Sequence, residues 1–227
     1  MPVILPGDRV DTENSKIGPG FYQSPLLDHA KPVKAGYLVS SHKGSSTLTY
    51  LDSNAKRYIP SLKDHVLGVV VGKYAEGYRV LLQDHSISVR LDQFAFENAS
   101  KKNKPNLQLG SLVYGRVSLA DKDIEPEIEC FDATTGKAGG FGELKGGYLI
   151  EVSLAYARFL LFEEGAELLA KIGEKVSFEV AIGVNGKVWI NAEDNLVVLK
   201  ISNLLRECES LSIENGLKLL GKAKLVS

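Results

Sequence analysis

From His65 to Phe131 the chain alternates apolar and polar positions in short bursts, separated by glycine and turn residues, which is the two-residue period of β-strands. His65 to Lys73 is a β-branched run with almost no polar face and predicts a buried strand. Tyr74-Ala-Glu-Gly77 reads as a four-residue hairpin connector, and Tyr78 to Leu82 as the strand it leads into. Ser86 to Leu91 alternates strictly, so Ile87, Val89 and Leu91 are expected on a packed face and Ser86, Ser88 and Arg90 on a wet one. After an excursion over 92–106, Leu112 to Ser118 and Ile124 to Cys130 restore the period. Glu125, Glu127 and Glu129 then point away from Ile124, Ile128 and Cys130 and read as a solvated edge.

The period changes after residue 147. Tyr148 to Val152 predicts a strand, Ser153 a helix N-cap, and Leu154 to Phe162 a short helix. Glu163 to Ala166 is expected to break it, and Ala166 to Ile172 to form a second helix closed by a left-handed Gly173. Ser177 to Ile182 and Lys187 to Ile190 read as strands, and Asn185-Gly186 between them as a type I′ turn. Val197, Ile201, Leu204, Leu205, Cys208 and Leu211 recur at helical spacing. Met1 to Pro60 is a turn-rich β segment with little core, in which Pro6-Gly-Asp8 and Gly18-Pro-Gly20 are turns by their chemistry. Phe131 to Gly142 is a small-residue linker that lacks the strand, glycine spacing and helix of a nucleotide fingerprint. The expected division is 1–60, 61–135 and 136–227.

Composition narrows the function classes. With 227 residues, 44% hydrophobic and 24% charged, the chain reads as ordinary globular protein. Its formal net charge is −1 and none of the three segments is strongly basic, so any nucleic-acid contact has to be a local patch. Cys130 and Cys208 form no metal-ligand spacing and suit a reducing compartment. His29, His42, His65 and His85 fall in no metal-binding spacing, so no metal, cofactor or catalytic residue is expected. No apolar run reaches membrane-spanning length, and the first ten residues, with Pro2, Pro6, Gly7 and Asp8, do not read as a secretory signal. The chain is therefore expected inside the cell, without a membrane partner.

Five short strands with one long connection between the third and fourth suggest a closed Greek-key barrel of the oligonucleotide-binding type. Gly68, Tyr74, Tyr78 and Leu109-Gly-Ser-Leu-Val-Tyr-Gly-Arg-Val117 resemble the S1-type RNA-binding domain, with Ser111 where that family usually has an acid. The order strand, helix, helix, strand, strand, helix resembles the K-homology fold. The fold class is thus mainly β with an α+β C-terminal domain: a small N-terminal β domain, a five-stranded S1-type barrel and a K-homology-like βααββα domain. A K-homology domain clamps RNA with a Gly-x-x-Gly loop between its first two helices. Here that junction is Phe162-Glu-Glu-Gly165, acidic and unsuited to phosphate, while Gly183-Val-Asn-Gly186 lies between strands. Gly183, Asn185, Gly186 and Lys187 therefore read first as a structural hairpin and second as an RNA clamp.

This three-part order, with Pro6-Gly-Asp8, Lys56-Arg-Tyr-Ile-Pro60, Ala99 to Asn106, Glu127 to Asp132 and Gly183 to Trp189, resembles the RNA-binding cap subunits of the RNA exosome. The resemblance implies a non-catalytic subunit placed on a ring of ribonuclease PH-like proteins beside other cap subunits. It would guide single-stranded RNA toward the central channel, in the nucleus and nucleolus and also in the cytoplasm. On that reading Lys101, Lys102 and Lys104 track the RNA backbone, Arg90 and Arg116 support them, and Tyr74 and Tyr78 stack bases. Gly7, Asp8 and Trp189 are expected at a domain or subunit interface. Two alternatives stay open: an assembly protein that never touches RNA, for which the lysine run is only a solvated loop, and an S1-type RNA-binding protein outside the exosome.

Overall fold

The computed structural model describes residues 2–10, 15–23, 30–43, 46–121, 123–161, 163–211 and 213–222. Contacts divide the chain into two compact units, Met1–Ala55 and Lys56–Ser227. In the first, β1 (Val3–Ile4), β2 (Ser15–Ile17), β5 (Gly36–Lys43) and β6 (Ser46–Asp52) form a sheet in the order β1-β5-β6-β2, and β3 (Phe21–Gln23) pairs with β4 (Ala30–Pro32). Ala30, Thr49 and Leu51 are buried, whereas Val3, Tyr22 and Tyr37 stay more than half exposed, as expected of a unit too small to enclose its apolar side chains.

The second unit begins with the barrel: β7 (His65–Tyr74), β8 (Gly77–Leu81), β9 (Val89–Phe96), β10 (Leu112–Leu119) and β11 (Glu127–Cys130). The order β11-β9-β8-β7-β10 closes because β11 also pairs with β10, so no strand of the five keeps a free edge. Val66, Val70, Val80, Val89, Leu91, Val113, Val117 and Ile128 fill the interior, following the alternation of each strand. Lys56 to Pro60 runs onto this barrel. The Tyr58 N–H donates to Gln83 Oε1 at 2.9 Å and its hydroxyl to Asp64 Oδ2 at 2.8 Å, and burial together with Asp64 pushes the phenol pKa up.

Three assignments in the barrel differ from the sequence expectation, the first being the fifth strand, which begins only at Glu127 and leaves Ile124 56% exposed. The third barrel strand starts at Val89 and runs to Phe96, leaving Ile87 74% exposed. The Ser86 hydroxyl, which donates to Gln83 O at 2.6 Å, belongs to a turn that delays the strand. The first hairpin connector is only Ala75-Glu76, since Tyr74 pairs with Gly77.

β12 (Gly142–Leu144) adds to the barrel through β10 and leads into the K-homology-like module. There β13 (Tyr148–Glu151), β15 (Lys187–Asn191) and β14 (Glu179–Gly183) form a sheet in that order. One face packs on α1 (Leu154–Leu161), α2 (Glu163–Gly173), α3 (Asn195–Glu209) and α4 (Ile213–Lys222), with Ile150, Ile182, Val188, Ile190, Ile201 and Leu205 in the core. Ser153 caps α1 through Tyr156 N–H at 3.2 Å. α2 begins already at Glu163, so Glu163 to Gly165 do not break the helices apart, and Gly173 ends α2 without a left-handed turn. Asp194 caps α3, accepting Leu196 N–H at 2.9 Å, and α4 is a further helix that the sequence pattern did not predict.

Candidate nucleic-acid interface

The outer face of the barrel is built by period-two alternation along two paired strands. Arg79 on β8 stands opposite Arg90 on β9, and Asp92 and Phe94 continue the outward set. Phe94 is 44% exposed. Beside this face runs 97–111, the connection that carries the lysines. Its tip is a tight turn: Ser100 N–H donates to Asn103 O at 3.0 Å, and Asn103 N–H donates to Ser100 O and to Ser100 Oγ, both at 3.1 Å. Lys101 and Lys102 stand exposed on that turn, and Lys104 Nζ lies 5.6 Å over the Phe94 ring. The base of the connection is tied down, because Tyr78 donates its hydroxyl to Pro105 O and accepts Leu107 N–H at 3.3 Å. Lys73 Nζ donates to Asn106 Oδ1 at 2.8 Å.

Tyr78 cannot stack a base. Its ring is 3% exposed, because it begins the inward set of β8 with Val80, so it serves as the anchor of the lysine connection instead. Tyr74 is half-buried and lines, with Arg90, Phe94, Glu127 and Phe131, a groove of about 270 Å³.

The arginines are already engaged by the acidic strand. Arg79 pairs with Glu125 at 3.0 Å, Arg90 with Glu127 at 3.3 Å, and Arg116 with Glu129, to which its Nε also donates at 3.0 Å. Glu125, Glu127 and Glu129 are therefore counter-ions to three arginines, not the bare solvated edge expected from their alternation. The innermost pair, with side chains 19% and 14% exposed, is the least accessible to an incoming phosphate. Among the described residues no carboxylate lies within ion-pair distance of Lys101, Lys102 or Lys104.

The Gly183 to Gly186 turn faces inward. Asn185 is 2% exposed; its Oδ1 accepts Leu67 N–H at 3.1 Å, and its Nδ2 donates to Leu67 O at 2.7 Å and to Leu82 O at 2.6 Å. Val184 N–H donates to His65 O at 2.9 Å. A Cβ on Gly183 would lie 2.7 Å from the Leu67 nitrogen, so only glycine permits this approach of the hairpin to β7. Gly186 has φ +81° whereas Asn185 does not enter the left-handed region. The connection is thus a three-residue loop closed by a left-handed glycine, not the expected type I′ turn. The hairpin fastens the module to the barrel, and its polar groups are spent there, which leaves none for a phosphate.

Trp189 packs against Leu67 and Ala181 on the same seam and donates Nε1–H to Gly146 O at 2.9 Å. Lys187 is 4% exposed and lines a cleft with Gln83, Asp84 and Glu151. Gly7 and Asp8 form a turn inside the first unit, where Asp8 Oδ2 accepts Leu5 N–H at 2.8 Å and Gly7 N–H donates to Pro32 O at 3.3 Å. Among the described residues no group of three or more His, Cys, Asp or Glu is placed to hold a metal, and no helix is long and apolar enough to cross a membrane.

Phe94, Lys73 and Arg79 were not anticipated at this face. Continuing the alternation past Leu91 to Asp92 and Phe94 was the signal available for Phe94. The ties of Lys73 and Arg79 depend on strand register, which the sequence does not print.

Comparison with known proteins agrees with this architecture. Residues 16–57 match the Rrp40 N-terminal domain of an exosome complex exonuclease, 58–142 the S1 domain of exosome complex component RRP40, and 147–196 a KH domain. The chain is 46% identical to exosome complex component RRP40 of Saccharomyces cerevisiae over 90% of its own length and 88% of that protein. It is 43% identical to the Schizosaccharomyces pombe counterpart over 96% and 92%. The crystal structure of a protein assigned as exosome complex RNA-binding shares the fold, with TM-score 0.59 at 16% identity, over 73% of this chain and 96% of that one. The chain belongs to the RRP40 family of exosome complex components.

Proposed function

We infer that the chain is a non-catalytic, RNA-binding cap subunit of the exosome, which steadies the ribonuclease PH-like ring and guides single-stranded RNA toward its channel for 3′–5′ processing and degradation. The observation that carries the RNA part of this reading is the lysine turn: three exposed ammonium groups on a connection that Tyr78 and Lys73 hold in place before any ligand arrives. Exposed, preformed cations beside an exposed aromatic ring suit a phosphodiester backbone whose bases stack in passing. The relatives are named as exosome components, which supports ring and cap subunits as partners. Such partners place the chain in the nucleus and cytoplasm, and the nucleolus is the finer expectation. The reading uses the division 1–60, 61–135 and 136–227, with the last module serving as a brace.

One observation favours an assembly protein that never meets RNA: all three arginines near the face are held by glutamates. Affinity for single-stranded RNA as a function of salt separates the two. Each phosphate neutralised contributes a log-log slope of about −0.7 on single strands, so replacing Lys101, Lys102 and Lys104 by Gln should flatten the slope by about 2. An unchanged slope assigns the lysines to solvent. Gentle purification of the tagged chain with identification of its companions by mass tests the other half. Ring proteins in stoichiometric amount are expected, and their absence overturns the cap assignment.

A further inference from the structure

Behind the lysine turn lies a cavity of about 260 Å³ whose own wall is the connection that carries the lysines. Phe96, at the end of β9, pairs with Cys130 at the end of β11, and with Pro105 and Phe141 they supply the cavity's apolar lining. Two polar side chains reach the same space. Glu97 accepts Ala138 N–H through one carboxylate oxygen at 2.7 Å, which fixes the group at the cavity and leaves its other oxygen free to accept. Asn103 donates through Nδ2 to Asn98 O at 3.5 Å and so presents its Oδ1 as a second acceptor.

We propose that this cavity is a nucleobase site that takes a base bearing an exocyclic amino group, from the strand whose phosphates lie on Lys101, Lys102 and Lys104. The proposal rests on the RNA-binding reading given above and adds a base preference to it. An occupant has to satisfy two demands. The turn that walls the cavity through Ala99, Asn103 and Pro105 also carries three exposed cations, which repel a lysine or arginine side chain from a protein partner and attract an anion. In the open cavity the occupant meets a carboxylate oxygen and an amide oxygen that can accept N–H donors, and apolar side chains that suit a flat apolar body. A nucleotide brings all three in one unit. The amino group of cytosine offers two N–H donors for the two acceptors, whereas uracil offers only N3–H and puts a carbonyl where the amino group would be. The Ser100–Asn103 turn is closed by its own backbone, so rim and cavity keep their spacing without ligand.

Oligo(C) and oligo(U) of about twelve nucleotides, both weakly stacked single strands, isolate this difference. Fluorescence anisotropy with the full chain is expected to show oligo(C) bound about fivefold more tightly than oligo(U). Filling the cavity by Ala99→Leu or Ala138→Leu should remove that ratio while leaving the salt slope, which the lysines set, unchanged. Glu97→Gln, which keeps size and adds a donor, should bring the two affinities together by improving oligo(U). Equal affinities in the unaltered chain, or a ratio that survives in both filled variants, overturn the base site. If binding is lysine-dependent but blind to the base, the cavity inference fails and the RNA reading stands. If no RNA is bound, or binding ignores the lysines, both fail.

Discussion

The barrel and the K-homology-like module are both folds that handle RNA elsewhere, and here they treat their polar turns in opposite ways. The barrel holds Lys101 and Lys102 out on a tight turn and anchors the connection from behind with Tyr78. The module turns its Gly183 to Gly186 loop inward, where Asn185 satisfies one backbone N–H and two backbone carbonyls of the barrel. With both of its amide hydrogens given to the barrel, Asn185 has no N–H left for a phosphate. Short polar motifs with glycine therefore carry no function by themselves; which neighbour they satisfy decides it. On the proposed function one module grips RNA and the other braces the barrel.

The strongest way to break the comparison is Asn185→Ala. It orphans one N–H and two C=O groups at a 2% exposed site, each worth roughly 1–3 kcal/mol, so a loss of about 3–5 kcal/mol is expected in denaturant unfolding. RNA affinity per folded molecule should not change. A stable variant with lost RNA affinity would reverse the assignment and return the hairpin to the RNA clamp. The complementary experiment replaces Lys101, Lys102 and Lys104 by Gln. Affinity at physiological salt should fall by tens of fold, from three lost phosphate contacts, while stability stays within about 0.5 kcal/mol.

How much of this was legible depends on whether local pattern or long-range partners decide it. The first, second and fourth barrel strands and the Ser153 cap follow from alternation and cap chemistry within a few residues, and they stand within a residue of where the pattern put them. Asn185 could be suspected of structure because Asn-Gly favours turns, but its partners lie 118 and 103 positions away in the chain. The same distance hid the arginine pairs. Glu125, Glu127 and Glu129 alternate as a solvated strand edge would, and only strand register shows that each faces a cation from β8, β9 or β10. Tyr78 is open to both stacking and packing in the sequence, and its place at the head of the Val80 and Leu82 face favours packing over stacking. An aromatic residue beside a turn fits stacking, while its inward position shares the register of Val80 and Leu82.

The glutamate row sharpens the comparison further, because it makes the barrel face weaker than its arginines suggest. Arg79 and Arg90 are 54% and 40% exposed, and exposed ion pairs hold by about 0–1 kcal/mol, so a phosphate can compete for them. Releasing them with Glu125→Gln and Glu127→Gln should raise RNA affinity severalfold at low salt and steepen the salt slope. Arg116 stays with Glu129, whose low exposure makes that pair part of the barrel wall. No gain in the double variant would mean that RNA passes along the lysine turn without reaching β8 and β9.

The smallest effect belongs to the seam itself. His65 gives its carbonyl to Val184, and its ring stands edge-on to Tyr114 and Phe141, with centroids 6.0 and 5.0 Å away. Burial, with Arg116 adding to it, holds the imidazole below its ordinary pKa of 6.5, while Asp64 opposes. The unfolded chain then binds the proton more readily, so this contribution is intact above about pH 6.5 and is lost as pH falls through that value toward the folded one. Replacing His65 by Gln should flatten stability against pH in that window and leave RNA affinity alone at neutral pH. A variant that keeps the full slope would show that His65 does not set the acid sensitivity of the seam.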